Sequence, residues 1–369
     1  MAEPPLYLAV ALDGAGWHPA AWRLPAARPG DLLTADYWVD LVREAERGLL
    51  DFVTIEDSVG LQTSHYDGPD GRVDQVRGRL DAVLVAARVA PATTRIGLVP
   101  TATVTHTEPF HVSRSIAALD HLSGGRAGWR PQASNRANEA AHFGRRTLPR
   151  FTIADFDRPD IAPVVTALFD ETGDHVEVVR RLWDGWPVGF TGRWFDVAGP
   201  GVPPRPPQGP PPVMVLAHAT IPYRLAARAA DVVWITAFDT GRVRQIVAEI
   251  RAAQVAAGRG DRPLHIFGDL VVFLDKGRRD HLDELAGAEF ATDTLVFAGS
   301  PADLADLMQE WREAGVTGFR LRPGAIPDDL VAITRDLTAE LRRRGAFKTA
   351  YPPGTLREAL HLPAAGGAR

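Results

Sequence analysis

The sequence predicts a TIM (β/α)8 barrel with insertions. Along most of the chain, short β-like runs alternate with amphipathic helical runs, the order that produces parallel strands joined by helices. Eight such strands can be counted, and the 369 residues exceed the roughly 250 of a minimal barrel. A doubly wound sheet is the alternative. It requires a GxGxxG turn after the first strand, and DGAGWHP (13–19) lacks that spacing.

The predicted strands are short runs rich in aliphatic and β-branched residues. LYLAVALDG (6–14) and DFVTIEDS (51–58) are the first two, and each ends in an acidic residue followed by a small one. Such runs are typical of strands buried on both faces in a parallel sheet. The other six predicted strands cover 95–104, 125–134, 213–218, 231–238, 264–275 and 318–324.

The predicted helices follow the strands. The strongest signals belong to 300–315, where Ser300 is the N-cap, Pro301 takes the first helical position, Asp303 completes a capping box and Gly315 ends the helix. The other predicted helices run from Thr34 to Leu49, over 77–90, 109–122, 163–184 and 329–344, with a short one between the strands at 213–218 and 231–238.

The regular alternation breaks between about 135 and 212. GPGVPPRPPQGPPP (199–212) contains too many prolines for a helix or a central strand. Because the alternation of strand and helix resumes directly afterwards, we expect an insertion into one barrel domain spanning 1–369 rather than a linker. We expect a C-terminal extension at about 345–369.

Composition limits the classes of function. The net charge of −5, from 41 Lys and Arg against 46 Asp and Glu, gives no basic surface for nucleic acid. No cysteine is present, which excludes disulfides, thiolate metal sites and a cysteine nucleophile. The start MAEPPLYLAV lacks the pattern of a secretion signal, and no apolar run is long enough to span a membrane. We therefore expect a cytoplasmic protein with no nucleic-acid or membrane partner.

In a TIM barrel, the reactive groups lie at the C-terminal ends of the strands and in the loops beyond them. Here those positions are rich in hydroxyl groups and histidine and poor in clustered carboxylates, a lining that suits an organic cofactor. We expect no metal site because no HxH or HxxxH pair falls on a predicted element. GxSxG is missing as well. His18, in a Gly-, Trp- and Pro-rich loop at this end, is a candidate functional residue.

Five segments resemble one family. The segment EPFHVSRSIAALDHLSGGRAGWR (108–130) resembles the hallmark of the bacterial-luciferase-like flavin monooxygenases, in the branch of nitrilotriacetate, dibenzothiophene-sulfone and long-chain alkane monooxygenases. DGAGWHPAAWRLP (13–25) is similar to the first barrel loop of that branch. The remaining blocks at 205–234, 297–323 and 342–362 follow in the same order, so the resemblance covers nearly the whole chain.

The resemblance implies a TIM barrel that binds reduced FMN, supplied by a separate NAD(P)H-dependent flavin reductase, and uses O2 to oxidise a small organic substrate. Self-association is common in the family. By this match, Asp57 lies near the flavin ring and Thr103 ends the third strand with a hydroxyl. Thr220, next to Ala219, takes the flavin phosphate at a helix start. His18 matches a substrate-side histidine and is the expected catalytic residue.

The chain also departs from the family pattern. GWNxVTS becomes GWRPQAS, which places Arg130 where the family has an amide, with Gln132 two residues later. A segment that normally reaches the flavin phosphate with His and Tyr has no counterpart. We expect Arg130 and Gln132 to contact the cofactor, with Arg145 as a further candidate for the phosphate. QAGxS becomes LAHAT, with His218 at the position of a glycine.

These departures leave two alternatives open. One is a deazaflavin-dependent oxidoreductase on the same barrel, because related barrels use that cofactor. The other is a flavin-binding protein without catalysis, since the lost His and Tyr segment removes expected contacts.

Overall fold

The computed structural model describes residues 5–63, 68, 70–156, 158–185, 188–199 and 205–364. Its strands are β1 (Tyr7–Leu12), β2 (Phe52–Ile55), β3 (Gly97–Thr103), β4 (Arg130–Gln132), β5 (Val188–Thr191), β6 (Asp196–Gly199), β7 (Met214–Ala217), β8 (Val232–Ile235), β9 (His265–Phe273), β10 (Val296–Ala298) and β11 (Gly318–Pro323). Eight of them form a parallel barrel in the order β4-β3-β2-β1-β11-β9-β8-β7.

The barrel closes between β4 and β7. The backbone N–H of Trp129 donates to the carbonyl of Pro212, and the N–H of Met214 donates to the carbonyl of Trp129, both at 2.9 Å. These bonds form the parallel bridge between Trp129 and Val213. The eight-stranded ring confirms the predicted TIM barrel. As an additional strand, β10 pairs in parallel with the C-terminal end of β9.

Helices surround the ring. They are α1 (Ala35–Arg47), α2 (Ala82–Val89), α3 (Pro109–Ser123), α4 (Ala137–Phe143), α5 (Ala162–Asp184), α6 (Thr220–Ala229), α7 (Thr240–Ala256), α8 (Lys276–Ala286), α9 (Pro301–Glu313), α10 (Asp328–Ala332), α11 (Thr338–Arg343) and α12 (Leu356–Ala359), with short 3₁₀ turns at Ala21–Arg23, Pro29–Asp31, Ala90–Ala92 and Ile153–Asp155. None of the helices in the described ranges is both long and apolar enough to cross a bilayer.

The helix starts agree with the caps read from the sequence. The Thr34 side chain accepts from the N–H of Tyr37 at the start of α1, and Ser300 and Asp303 form the predicted capping box of α9. The closing helix differs from the continuous helix predicted over 329–344, because a π-helical turn at Ile333–Leu337 joins α10 to α11.

The segment between β4 and β7 contains α4, α5 and an antiparallel hairpin of β5 with β6. The sequence did not predict this hairpin. Each strand has only four residues, and Val188 is the only buried one, so neither strand shows the longer apolar run or alternation by which a strand is recognised. Residues 157, 186–187 and 200–204 of the predicted insertion lie outside the described part of the chain.

The N-terminal half of the barrel interior is apolar. The rings of Phe52 and Phe267 stack with their centroids 5.8 Å apart, and the Trp234 ring lies 6.3 Å from that of Phe52. Leu356 and Leu360, in and directly after α12, pack against this cluster and cover the N-terminal end of the barrel. The C-terminal extension, of which 365–369 lie outside the described residues, therefore contributes to the core through its first part.

We expect Ser300→Ala to lower the free energy of unfolding by about 1 kcal/mol, because the first turn of α9 loses its side-chain acceptor. Urea denaturation followed by circular dichroism measures the change. Ser115→Ala is the control: its exposed hydroxyl only donates to the His111 carbonyl of its own helix, so a change within about 0.5 kcal/mol is expected. Equal losses in both variants would contradict the capping role.

Candidate active site

Alternation along the strands decides which side chains enter the barrel. Successive strand residues point to opposite faces, so Phe52, Thr54 and Glu56 lie on one face of β2 and its extension. On β11 the same rule puts Arg320 and Arg322 together on the inner face. Above the apolar half, the barrel interior is therefore lined by charged and hydroxyl side chains.

Asp269 on β9 is the centre of this charged layer. It stands in register with Arg320 on β11 and is fully buried. Its carboxylate accepts from Arg320 Nε at 3.0 Å and Nη2 at 2.7 Å, and from Arg322 Nε at 3.0 Å and Nη2. Burial alone would raise the pKa of Asp269, but the two guanidinium groups outweigh it and lower the pKa.

Glu56 is the second carboxylate that holds two arginines. Its Oε1 accepts from Arg320 Nη1 at 2.9 Å, and its Oε2 accepts from Arg130 Nη1. Arg130 also donates to Thr101 Oγ1 at 3.1 Å. Burial opposes ionisation of Glu56, yet the arginines, with Arg130 contributing most, bring its pKa to about 2.

The expectation that this rim is poor in clustered carboxylates is wrong. Glu56 and Asp269 share the end of the barrel with Asp293, which accepts from Arg322, and Asp13, which accepts from Arg79. Four arginines face these four carboxylates, so the cluster is neutral when His218 is uncharged. The signal in the sequence was a charge inside an apolar strand, Asp269 in HIFGDLVVF, together with two arginines spaced by two in GFRLRP.

A cavity of about 320 Å³ opens above this layer, between β4, β7 and the helices α5 and α6. Its polar lining includes Glu56, Arg79, Arg130, Gln132 and His218. Its apolar lining consists of Phe156, Val165, Leu168, Phe169, Leu216, Pro222 and Leu225. Of the six predicted cofactor-binding residues, Arg130 and Gln132 line this cavity.

A second cavity of about 300 Å³ lies on the other side of Glu56 and Arg79, which line both. Arg79 is held in this wall by Asp13, to which its Nε donates at 2.9 Å, and by the Asp57 carbonyl at 3.4 Å. The other side chains of this second cavity are largely apolar and include Leu32 and Trp38. Two chambers therefore share one wall.

Ala219 and Thr220 lie at the start of α6, between the cavity-lining residues His218 and Pro222. Ala219 is the N-cap and has no side chain that could accept from the first turn. The free N–H groups of that turn, with the positive end of the helix dipole, favour an anion at this edge of the cavity. Arg136 also lines the cavity.

The structure does not place Asp57 or Thr103 on the wall of either cavity. Asp57 follows the inward-facing Glu56 and points outward, where its Oδ2 accepts from the N–H of Ala82 at the start of α2 at 3.0 Å. Thr103 is buried at the end of β3, in register with Gln132. Arg145 lies on the surface, where it donates to Glu108.

His18 is 2% exposed and lies against α8 rather than in the cavity. Its Nε2 is 3.1 Å from Asp283 Oδ1, and its Nδ1 accepts from the N–H of Ala20 at 3.1 Å. The rings of Phe273 and Phe290 pack on it. Both ring nitrogens are engaged in these contacts. The catalytic role of His18 stays a prediction.

Within the described ranges, no three His, Asp or Glu side chains are grouped so that they could hold a metal ion. An eight-stranded parallel barrel with a mixed polar and apolar cavity at the C-terminal ends of its strands is the arrangement of a TIM-barrel enzyme that binds an organic molecule.

Comparison with known proteins identifies the family. The profile of the family described as luciferase-like monooxygenase matches residues 16–291, about three quarters of the chain. The chain belongs to the luciferase-like monooxygenase family, which confirms the resemblance carried by its sequence blocks.

Individual relatives agree over nearly the full length. The chain is 27% identical to nitrilotriacetate monooxygenase component A of Aminobacter aminovorans, with 94% of each chain covered. It is 28% identical to dibenzothiophene-sulfone monooxygenase of Rhodococcus erythropolis, with 93% of each covered. Among solved structures, riboflavin lyase with modified FMN and riboflavin superposes with a TM-score of 0.81 at 21% identity, covering 98% of this chain and 97% of the other.

We expect Asp269→Ala to lower the free energy of unfolding by about 3–5 kcal/mol, because two buried arginines lose their carboxylate. Chemical denaturation measures the loss, with Asp269→Asn as a milder second variant. Asp306→Ala, which removes the exposed partner of Arg344, is the control and should cost below about 1 kcal/mol. Similar losses for Asp269→Ala and the control would show that the buried network is energetically unimportant.

Proposed function

We propose that the protein is the oxygenase of a two-component, flavin-dependent monooxygenase that oxidises a small organic substrate with O2. The observation that carries the proposal is the cavity at the C-terminal end of the barrel, whose lining combines arginines with apolar side chains beside the start of α6. Reduced FMN would supply the two electrons that O2 needs for insertion of one oxygen atom into the substrate.

The residues of this cavity suit a phosphorylated tricyclic ring. Phe156, Leu168 and Leu216 offer an apolar surface for a flat aromatic system, and Gln132 offers an amide for its polar edge. The flavin phosphate would lie at the start of α6, on the N–H groups next to Ala219 and Thr220, with Arg136 as a nearby cation. Arg130, tied to Glu56 and Thr101, would form the floor under the ring.

The second cavity fits the role of substrate chamber. It shares Glu56 and Arg79 with the first, so a molecule in it would lie against the same wall as the ring. Apolar side chains such as Leu32 and Trp38 would exclude water from the reacting atoms, which protects reactive oxygen species from hydrolysis. In this arrangement Glu56, which lines both cavities, would be the acidic residue next to the ring, the place that the family resemblance gives to Asp57.

The remaining assignments rest on the family. The electrons would come from a separate NAD(P)H:flavin reductase in the cytoplasm, and the chain would act as a homo-oligomer. The name component A, carried by the relative from Aminobacter aminovorans, supports a system of two proteins. Asp57, Thr103 and His18 would support the site from outside the cavity lining. Asp57 would do so by accepting from the first N–H of α2, and His18 by fixing the first loop on α8.

We expect Thr220→Ala to weaken FMN binding about tenfold and to leave riboflavin binding nearly unchanged, because only FMN has the phosphate that lies at the start of α6. Isothermal titration with oxidised FMN and with riboflavin measures both affinities. Thr240→Ala, at the equivalent first position of α7, is the matched control and should leave both affinities unchanged.

The same titration, extended to a reduced deazaflavin and followed by mixing with O2, tests the function. Preference for FMN and oxygen consumption driven by a flavin reductase would support the proposal. Tighter binding of the deazaflavin would favour a hydride-transfer enzyme. Tight FMN binding with the autoxidation rate of free reduced FMN would favour a flavin-binding protein without catalysis.

A further inference from the structure

His218 is a cavity residue that the family pattern does not explain, because it stands at the position of a glycine. It follows β7 directly, lines the first cavity, and its side chain is 25% exposed. Its Nδ1 lies 3.0 Å from Thr236 Oγ1 and 3.3 Å from Asp293 Oδ2. Nε2 has no hydrogen-bond partner among the residues that the structure describes.

The environment of Nδ1 decides the proton positions on the ring. Asp293 accepts from Arg322 Nη1 at 2.7 Å, and the positive charge of Arg322 overcomes the effect of burial and keeps the pKa of Asp293 well below its usual value. Asp293 is therefore a carboxylate, which can only accept. The Thr236 hydroxyl can donate or accept, so the carboxylate decides the tautomer: a hydrogen on Nδ1 lies against the Asp293 anion, whereas a lone pair on Nδ1 would face it. We therefore assign the hydrogen to Nδ1, which leaves the lone pair of Nε2 free in the neutral ring.

We propose that His218 is a proton-transfer residue of the cavity, acting through Nε2, and that Asp293 is the positioning residue that fixes its ring and stabilises its charged form. The arrangement of a carboxylate, an imidazole and an open binding site is the one that general acid–base catalysis requires. This inference rests on the proposed function, because the molecule that exchanges the proton is the one bound in the cavity.

The step itself is a simple proton transfer. A bond between hydrogen and a nitrogen or oxygen atom of the bound molecule breaks, its electron pair stays on that molecule, and an N–H bond forms at Nε2. The resulting imidazolium is paired with the Asp293 carboxylate, and the reverse step returns the proton. Neither direction consumes an oxidant or a reductant.

The charges around the ring set the pH range. Burial lowers the pKa of His218; Asp293 and Asp269 raise it, while Arg322 and Arg130 lower it, and the net direction is downward. His218 is therefore a neutral base at pH 7. Removing the Asp293 charge should lower its pKa further, because the imidazolium loses its nearest anion.

The first test needs no cofactor. Long-range ¹H–¹⁵N correlation spectra of ¹⁵N-histidine-labelled protein report the tautomer and pKa of each of the 11 histidines, and the signal missing in His218→Gln identifies His218. We expect His218 to be the Nδ1–H tautomer. In Asp293→Asn, we expect the acid dissociation constant of the His218 imidazolium to be at least about tenfold larger than in the original protein. An Nε2–H tautomer, or an unchanged constant in Asp293→Asn, would overturn the proposal.

The second test uses protein loaded with reduced FMN and mixed with O2, a reaction that yields FMN and hydrogen peroxide and moves two protons off the flavin. We expect the rate to fall as pH drops through the pKa of His218, and to fall about 10²-fold without this inflection in His218→Gln. In Asp293→Asn the inflection should move to lower pH.

His265→Gln is the matched control, since His265 is also largely buried but lies at the opposite end of the barrel, with Nε2 on the Leu360 carbonyl. It should keep the rate and pH profile of the original protein. If reduced FMN does not bind at all, the proposed function fails. If it binds and His218→Gln keeps the original profile, the inference about His218 fails while the proposed function stands.

Discussion

Charge pairing inside the barrel is the constraint on which the rest of the site depends. Removing an ion from water is expensive, so a buried charge is kept only when it is paired and hydrogen-bonded. Here the Asp269 carboxylate pairs with Arg320 and Arg322. The Glu56 carboxylate pairs with Arg320 and Arg130, so Arg320 is common to both. The parallel register sets Arg320 opposite Asp269, and the shared carboxylates then hold Arg130 and Arg322 in place. Arg130 lines the cavity, and Arg322 donates to Asp293.

The main effect of this charged layer is to fix the positions of its side chains, rather than to stabilise the fold. Well-packed apolar side chains would fill a barrel at no greater free-energy cost than interlocked ions. What the ions add is a set of fixed dipoles and charges directly beneath a binding cavity, oriented before any molecule arrives. The apolar half below, with Phe52, Trp234 and Phe267, supplies the ordinary packing, and Arg320 lies 4.5 Å above the Trp234 ring at the boundary.

The fold could be predicted from the sequence because its signals are local. Thr34, Ser300 and Asp303 act on backbone groups three residues away, and buried strands are recognisable as apolar runs. The site depends on neighbours that are distant in the chain. Whether Glu56 or Asp57 enters the barrel is decided by strand parity, which a strand boundary uncertain by one residue reverses. The pairing of Asp269 with Arg320 depends on the register between β9 and β11, which cannot be derived from the sequence of either strand alone.

Two of the departures from the family pattern, Arg130 and His218, are physically connected. Arg130 on β4 and His218 after β7 belong to the strands that close the barrel, and both line the same cavity. An arginine there requires a carboxylate, which Glu56 provides. Its positive charge also helps to keep His218 neutral, and Asp293, held by Arg322, limits that effect. Because each of these groups affects the charge of the next, the unusual residues form one electrostatic unit in the lining of the cavity.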